Sequence, residues 1–268
     1  MMKADFHMHT SFSTDSDTLP EKMVERAIAL GLDTICFTDH QDFDFPDGEH
    51  LFVFDTESYF DKMRSLQETY RNKIEIRIGV EIGLQPHLGE MYRKYVSSYP
   101  FDFVIGSVHV VDRMDPYNKV FFEGKTDEDA YRQAFMETLE NIQAVESFDV
   151  LGHIDYIVRY GKEKAKNYSY AKFSDEIDEI LKYLIAHGKG IELNTAGFKY
   201  GLGFCHPHLD ILKRYHELGG EIITIGADGH KPEHIAYDFK KVSSLLRESG
   251  FKYYTEFKER KTIFKQLP

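Results

Sequence analysis

Cysteine is nearly absent from this chain, with two in 268 residues: Cys36 in an apolar, strand-like run and Cys205 in a loop. Two thiols exclude a disulfide framework and match a reducing compartment, so both are expected to be free. No apolar run reaches the ~18 residues of a membrane helix, and the N-terminus passes from MMK straight into the polar ADFHMHT without a signal core. A cytoplasmic protein with no use for a membrane is expected. Positive charge is also short, since 33 Lys and Arg against 45 Asp and Glu leave a formal net charge of -12. Such a surface repels polyanions, which argues against nucleic acid and for a small molecule as partner. No Pro-rich linker, low-complexity tract or sequence repeat divides the chain. A single domain spanning 1–268 is the simplest organisation, and a monomer the expected state.

What is present is enough apolar content, 42% of residues, to bury a sizeable core. Short apolar runs alternate with segments of helical period, the pattern of repeated βα units. Strands are predicted at 3–9, 33–39, 74–82, 101–109, 149–154, 190–195 and 222–228. Helices are predicted at 20–30 (opened by Pro20, closed at Gly31), 55–72, 86–98, 126–147, 171–188, 207–218 and 238–249 (closed at Gly250). The last aromatic segment, FKYYTEF, is expected to add an edge strand or cover. Seven βα units predict an α/β fold, a (β/α)7 barrel resembling a TIM barrel one unit short, with an open doubly wound sheet as the alternative. Alternation assigns Phe6, Ile35, Phe37, Ile78, Val80, Val104, Ile105 and Ile223 to the core.

Histidines and carboxylates gather at the C-terminal ends of these strands. His7 and His9 end the first, His40 follows the second in TDH, Glu81 ends the third in GVEIG, and His109 ends the fourth in GSVH. His153 ends the fifth in LGHID, and Asp228 and His230 end the seventh in GADGH. In a parallel barrel these ends converge on the face where active sites are built. Residues i and i+2 of a strand share a face, so His7 and His9 aim together, and Asp228 and His230 do so if the strand extends that far. One histidine at a strand end is weak testimony, but six of thirteen in company with Glu81 and Asp228 make a cluster. Imidazole nitrogen and carboxylate oxygen suit zinc, iron or manganese, and so many donors imply two or three divalent ions. His50, His87, His187 and His216 fall in helical or loop contexts and are expected at the surface.

The ordered motifs HMHT, TDH, GVEIG, SVH, GHID and ADGH resemble the polymerase and histidinol phosphatase (PHP) superfamily of metal-dependent phosphoesterases. LGHIDYIVRYG and IELNTAGFK are most similar to its free-standing histidinol-phosphate phosphatases. The resemblance implies a distorted seven-stranded βα barrel and hydrolysis of L-histidinol phosphate in histidine biosynthesis. It implies one ion at His7, His9, Glu81 and Asp228, and a second shared through Glu81 with His109 and His153. A third would sit at His40, His230 and Asp15, where many relatives carry a histidine; Asp17 is a second candidate if the loop register differs. Arg159 and Lys199 resemble positions that contact the phosphate, with a metal-bound hydroxide as the nucleophile. The general acid stays open, with Asp39 and His206 as candidates. In the loop QDFDFPDGEH, Asp42 or Asp44 could meet the substrate ammonium or simply be solvated. A PHP phosphoesterase acting on nucleotides or nucleic acid ends is the alternative function, and a non-catalytic metal-binding module a further one.

Overall fold

The computed structural model of the chain describes residues 2–46, 48 and 51–268, so His50 lies outside the described residues. Eight strands form one parallel sheet: β1 (Ala4–Asp5), β2 (Thr34–Phe37), β3 (His40–Gln41), β4 (Glu75–Gly83), β5 (Phe103–Ser107), β6 (Val150–Leu151), β7 (Gly190–Asn194) and β8 (Ile223–Gly226). Their order is β1-β2-β4-β5-β6-β7-β8, with β3 paired to β4. β2 and β3 are two pieces of one strand position, which gives seven strands around the sheet. The break falls at Thr38 and Asp39, whose polar groups turn to the first strand: Thr38 N–H donates to Met8 O (3.0 Å), and Asp39 Oδ1 accepts from Thr10 N–H (2.6 Å).

Closure comes from the first strand meeting the last. Phe6 N–H donates to Ile225 O (2.8 Å), His9 N–H donates to Gly229 O (2.9 Å), and Met8 bridges Gly229 in parallel. Buried Asp5 reinforces the seam by accepting from Ala227 N–H (3.1 Å) and Ala236 N–H (2.9 Å). This excludes the open doubly wound sheet and shows the seven-stranded barrel that the βα count predicts. The expected strand 3–9 pairs with β2 in regular register only over Ala4–Asp5; beyond there Phe6 and His9 donate to the seam while Met8 O still accepts from Thr38 N–H.

The helices lie close to expectation: α1 (Pro20–Ala29), α2 (Thr56–Tyr70), α3 (Gly89–Ser98), α4 (Asp127–Ala144), α5 (Ser174–Ala186), the unexpected short α6 (Ala196–Lys199), α7 (Leu209–Glu217) and α8 (Phe239–Glu248). Side-chain caps set three of the starts, one of them through His208, which accepts from Asp210 N–H ahead of α7. Asp55 accepts from Ser58 N–H ahead of α2, and Thr126 with Asp129 forms a reciprocal capping box ahead of α4. Every residue assigned to the core by alternation is buried.

The C-terminal segment makes a hairpin, β9 (Tyr253–Lys258) and β10 (Lys261–Gln266), separate from the barrel sheet. It covers the N-terminal end of the strands. Arg77 Nε donates to Phe257 O (3.1 Å), Ile223 N–H donates to Thr255 Oγ1 (3.2 Å), and Arg260 Nε donates to Asp149 Oδ2 (2.5 Å). Phe257 packs at 4.9 Å from Phe103, whose other neighbour Phe6 stands 5.5 Å away. Phe257→Ala is therefore expected to cost about 3–5 kcal/mol of stability through the cavity it leaves. Urea denaturation checks this; a loss under ~1 kcal/mol would mean that the hairpin is an appendage and not part of the core.

Candidate metal centre and active-site cavity

Glu81, on the C-terminal half of β4, is completely buried at the barrel mouth. Its Oε2 lies 3.2 Å from His7 Nε2, 3.5 Å from His9 Nε2 and 3.2 Å from His40 Nδ1. Its Oε1 lies 3.0 Å from His153 Nε2 and 3.3 Å from His109 Nε2, and accepts a 2.6 Å hydrogen bond from Ser107 Oγ. Asp228 Oδ1 stands 3.4 Å from both His9 Nε2 and His230 Nδ1. Asp15 Oδ2 stands 3.0 Å from His230 Nε2 and 3.8 Å from His40 Nε2. All nine expected ligand residues thus meet in one place. Asp17 is exposed and outside the cluster, and no side chain caps α1, whose N-cap residue is Leu19.

Some strand-end expectations need correction. Strand β8 stops at Gly226, and Asp228 takes a left-handed backbone (φ 51°), so Asp228 and His230 converge through a turn and not through strand alternation. β6 stops at Leu151, and His153 also has positive φ (22°), with its N–H donating to Glu192 Oε2 (3.2 Å). Both ligands sit on strained backbone, as is common where side-chain aim outranks comfort.

The donors fit divalent cations. His7, His9 and Glu81 converge as one potential ligand group, Glu81, His109 and His153 as a second, and His9, His40 and His230 as a third. His7 Nε2, His9 Nε2, His40 Nδ1, His230 Nε2 and Glu81 Oε2 are buried without a hydrogen-bond partner, an arrangement that is costly unless an ion takes those lone pairs. Burial alone would raise the Glu81 carboxyl, but His7, His109 and His40 hold it well below the ordinary value. Burial would likewise raise Asp228, and His7, His9 and His230 hold it low. Burial pushes His9 and His153 down, which leaves neutral imidazoles with a lone pair to give. Against burial, Glu192, Glu81 and Asp228 draw positive charge onto His7, and Asp42 and Glu81 draw it onto His109. The centre calls for cationic charge, and nitrogen and oxygen donors select transition ions to supply it.

A second layer of oxygens, which the sequence reading missed, aims the imidazoles. Glu192 Oε1 lies 2.7 Å from His7 Nδ1, Asp42 Oδ2 lies 2.6 Å from His109 Nδ1, and Ser13 Oγ lies 3.2 Å from His9 Nδ1. Each fixes which ring nitrogen faces the centre. Ser13 is itself held by Asp39 (2.7 Å). Gly226 makes this packing possible, since a Cβ there would collide with Glu192 and His7. Strand alternation over GIELN would have turned Glu192 and Asn194 toward one face, the signal that pointed to them.

Above the centre is a cavity of about 220 Å³ whose lining includes Glu81, Asp228, Arg159, Lys199, Tyr200 and His234. It adjoins a lobe of about 290 Å³ walled by Phe45, Phe52, Tyr117, Tyr160 and Asp115. The larger groove beside α4, about 540 Å³, contains none of the ligand residues. Arg159 and Lys199 therefore face the cavity as expected, with Lys199 Nζ donating to Asp228 O (2.9 Å). Other expectations fail. Asp39 and His206 are buried and do not line the cavity; His206 Nδ1 is taken by Asp155 at 2.6 Å. Asp42 is not solvated: it is buried, with Oδ2 2.6 Å from His109 Nδ1, and it borders the aromatic lobe. Asp44 pairs with His87 at 2.8 Å, and His87, His187 and His216 are exposed as expected.

Glu192→Gln keeps the shape but removes the anionic acceptor behind His7. Metal affinity, read by competition with a chromophoric chelator, is expected to fall about 10–100-fold. An unchanged affinity would show that Glu192 merely packs.

The sequence profile of the PHP domain matches residues 5–196. The histidinol-phosphatase of Lactococcus lactis subsp. lactis (strain IL1403) is 35% identical over 257 residues, covering 94% of this chain and 93% of that protein. A probable histidinol-phosphatase of Clostridium acetobutylicum is 34% identical over 252 residues, 94% of this chain and 95% of its own. The crystal structure of the L. lactis histidinol phosphate phosphatase, complexed with zinc, L-histidinol and phosphate, superposes with a TM-score of 0.90 at 35% identity over 97% of this chain and 98% of that one. A Listeria monocytogenes chain at 21% identity and TM-score 0.75, covering 89% of this chain and 99% of its own, shares the fold. With a matching profile over most of its length and relatives this similar end to end, the chain belongs to the PHP domain family.

Proposed function

We propose that the protein is a histidinol-phosphatase that hydrolyses L-histidinol phosphate to L-histidinol and phosphate. The observation that carries this reading is a cavity with metal-ligand groups on its floor, Arg159 and Lys199 on its wall, and an aromatic lobe with a carboxylate beside it. Three successive ligand groups, His7–His9–Glu81–Asp228, Glu81–His109–His153 and Asp15–His40–His230, would hold two to three zinc, manganese or iron ions. Bound there, the ions would neutralise the phosphate dianion and lower the pKa of a water for attack on phosphorus.

The chain's own residues do the rest. Arg159 offers planar, bidentate donors to phosphoryl oxygens, and Lys199 adds a point charge. The rings of Phe45, Phe52, Tyr117 and Tyr160, with the Asp115 carboxylate, suit a flat imidazole carrying an ammonium. A nucleotide or nucleic acid end would meet this acidic lobe and a chain of net charge -12, so the small cationic substrate is preferred. Neither general-acid candidate reaches the cavity, so protonation of the leaving oxygen is assigned to no side chain. We place the enzyme in a reducing compartment, the cytoplasm, in keeping with buried, free Cys36 and Cys205, and take it to work as a monomer. Among the described residues no helix is long and apolar enough to cross a membrane.

Steady-state kinetics of the metal-loaded protein on histidinol phosphate, nucleoside monophosphates and an aryl phosphate test the assignment. Histidinol phosphate is expected to lead in kcat/KM by at least about 100-fold; no advantage would overturn the substrate and leave the phosphoesterase class. Removing the ions with a chelator is expected to abolish turnover. His9→Ala or Asp228→Asn should lower kcat by at least about 100-fold, and full activity in either would overturn the metal assignment.

A further inference from the structure

We propose that Tyr200 is a positioning residue that holds Arg159 and Lys199 together as a phosphate clamp; this rests on the reading that those two cations take the phosphoryl group. They come from different parts of the barrel. Arg159 ends the 3-10 turn Tyr156–Arg159 after β6, and Lys199 ends α6 after β7. Both line the cavity beside Tyr200. Two like charges in one half-buried wall ordinarily draw in a carboxylate, yet among the described residues neither makes an ion pair with an acidic side chain. The ring of Tyr200 takes that place. Its centroid is 3.7 Å from Arg159 Cζ and 4.9 Å from Lys199 Nζ.

The choice of a ring over a carboxylate has a physical consequence. A carboxylate would occupy the in-plane N–H donors of the guanidinium and cancel its charge, so that phosphate would have to displace it. An aromatic face supports the guanidinium from the side without cancelling its charge, and engages at most one of its donors through the Tyr200 hydroxyl. Tyr156 and Tyr160, each with its centroid 4.7 Å from Arg159 Cζ, complete the enclosure, and Tyr160 Oη donates to Tyr156 Oη at 2.7 Å. Tyr156 in turn stacks on the His153 imidazole (4.5 Å, 30°). A run of planar groups, His153, Tyr156, Arg159 and Tyr200, thus sets the guanidinium at a fixed remove from the metal-ligand cluster. A phosphate that must reach both needs that spacing constant.

The test compares Tyr200→Phe, Tyr200→Leu and Arg159→Met by kcat, KM for histidinol phosphate, inhibition by inorganic phosphate and metal content. Phenylalanine keeps the face and should stay within about twofold of the parent, whereas leucine should raise KM and the phosphate inhibition constant about tenfold or more at unchanged metal content. Tyr200→Met serves in the same role if leucine impairs folding. Native KM and phosphate inhibition in Tyr200→Leu would overturn the proposal, as would equal damage from Phe and Leu, which would place the role in the hydroxyl, itself beside Arg159, and not in the ring. If Arg159→Met itself leaves phosphate inhibition unchanged, the phosphate reading of Arg159 fails and the clamp with it. If Arg159→Met weakens phosphate while Tyr200→Leu does not, only the role of Tyr200 fails.

Discussion

A carboxylate at the centre of a barrel mouth, stripped of water and ringed by five imidazoles, is tolerable only if positive charge meets it. Glu81 is that carboxylate. Its two oxygens divide the surrounding histidines, with His7, His9 and His40 on one and His109 and His153 on the other. Leaving such a group uncompensated would cost several kcal/mol, so the fold and its ions are coupled. The rest of the mouth follows from keeping those imidazoles aimed. Glu192, Asp42 and Ser13 hold the far ring nitrogens, and the left-handed turns at His153 and Asp228 bring ligands inward that regular strands would not.

The barrel divides its labour between its two ends. At the N-terminal end, apolar rings and the β9–β10 hairpin bury surface and tie Arg77, Asp149 and Ile223 in place. At the C-terminal end, buried imidazoles and carboxylates gather with several lone pairs unpartnered, and the seam between the first and last strands carries His7 and His9 into the centre. Stability is concentrated where no chemistry occurs, which lets the mouth carry strain and desolvated charge.

Much of this was legible in the sequence because barrel geometry is periodic. Alternating apolar runs mark the strands, and the strand tips mark eight of the nine proposed ligand residues; Asp15, in the loop after the first strand, is indicated only by the family resemblance. The parts that were not legible depend on contacts between distant segments. In the sequence Glu192 is one more strand residue and Asp42 one more loop aspartate; only the fold puts His7 beside the one and His109 against the other. Asp39 and His206 had the right chemistry for a general acid, but their side chains are committed elsewhere. The terminal hairpin read only as an edge or cover, because its partners are the scattered starts of four different strands.

Asp15 is the outermost of the proposed ligand residues, with its side chain 41% exposed where Glu81 is 1%. As a ligand, a hard carboxylate in that place would weaken a third ion or shift its preference toward manganese or iron, whereas the inner imidazole-rich groups suit zinc. The centre as a whole stands or falls with Glu81 as a shared ligand. Elemental analysis of Glu81→Gln beside the parent protein, with folding confirmed by circular dichroism, measures that directly. The expected result is the loss of at least two metal equivalents per chain, because the first and second ligand groups both run through this carboxylate; loss of one equivalent or none would contradict it.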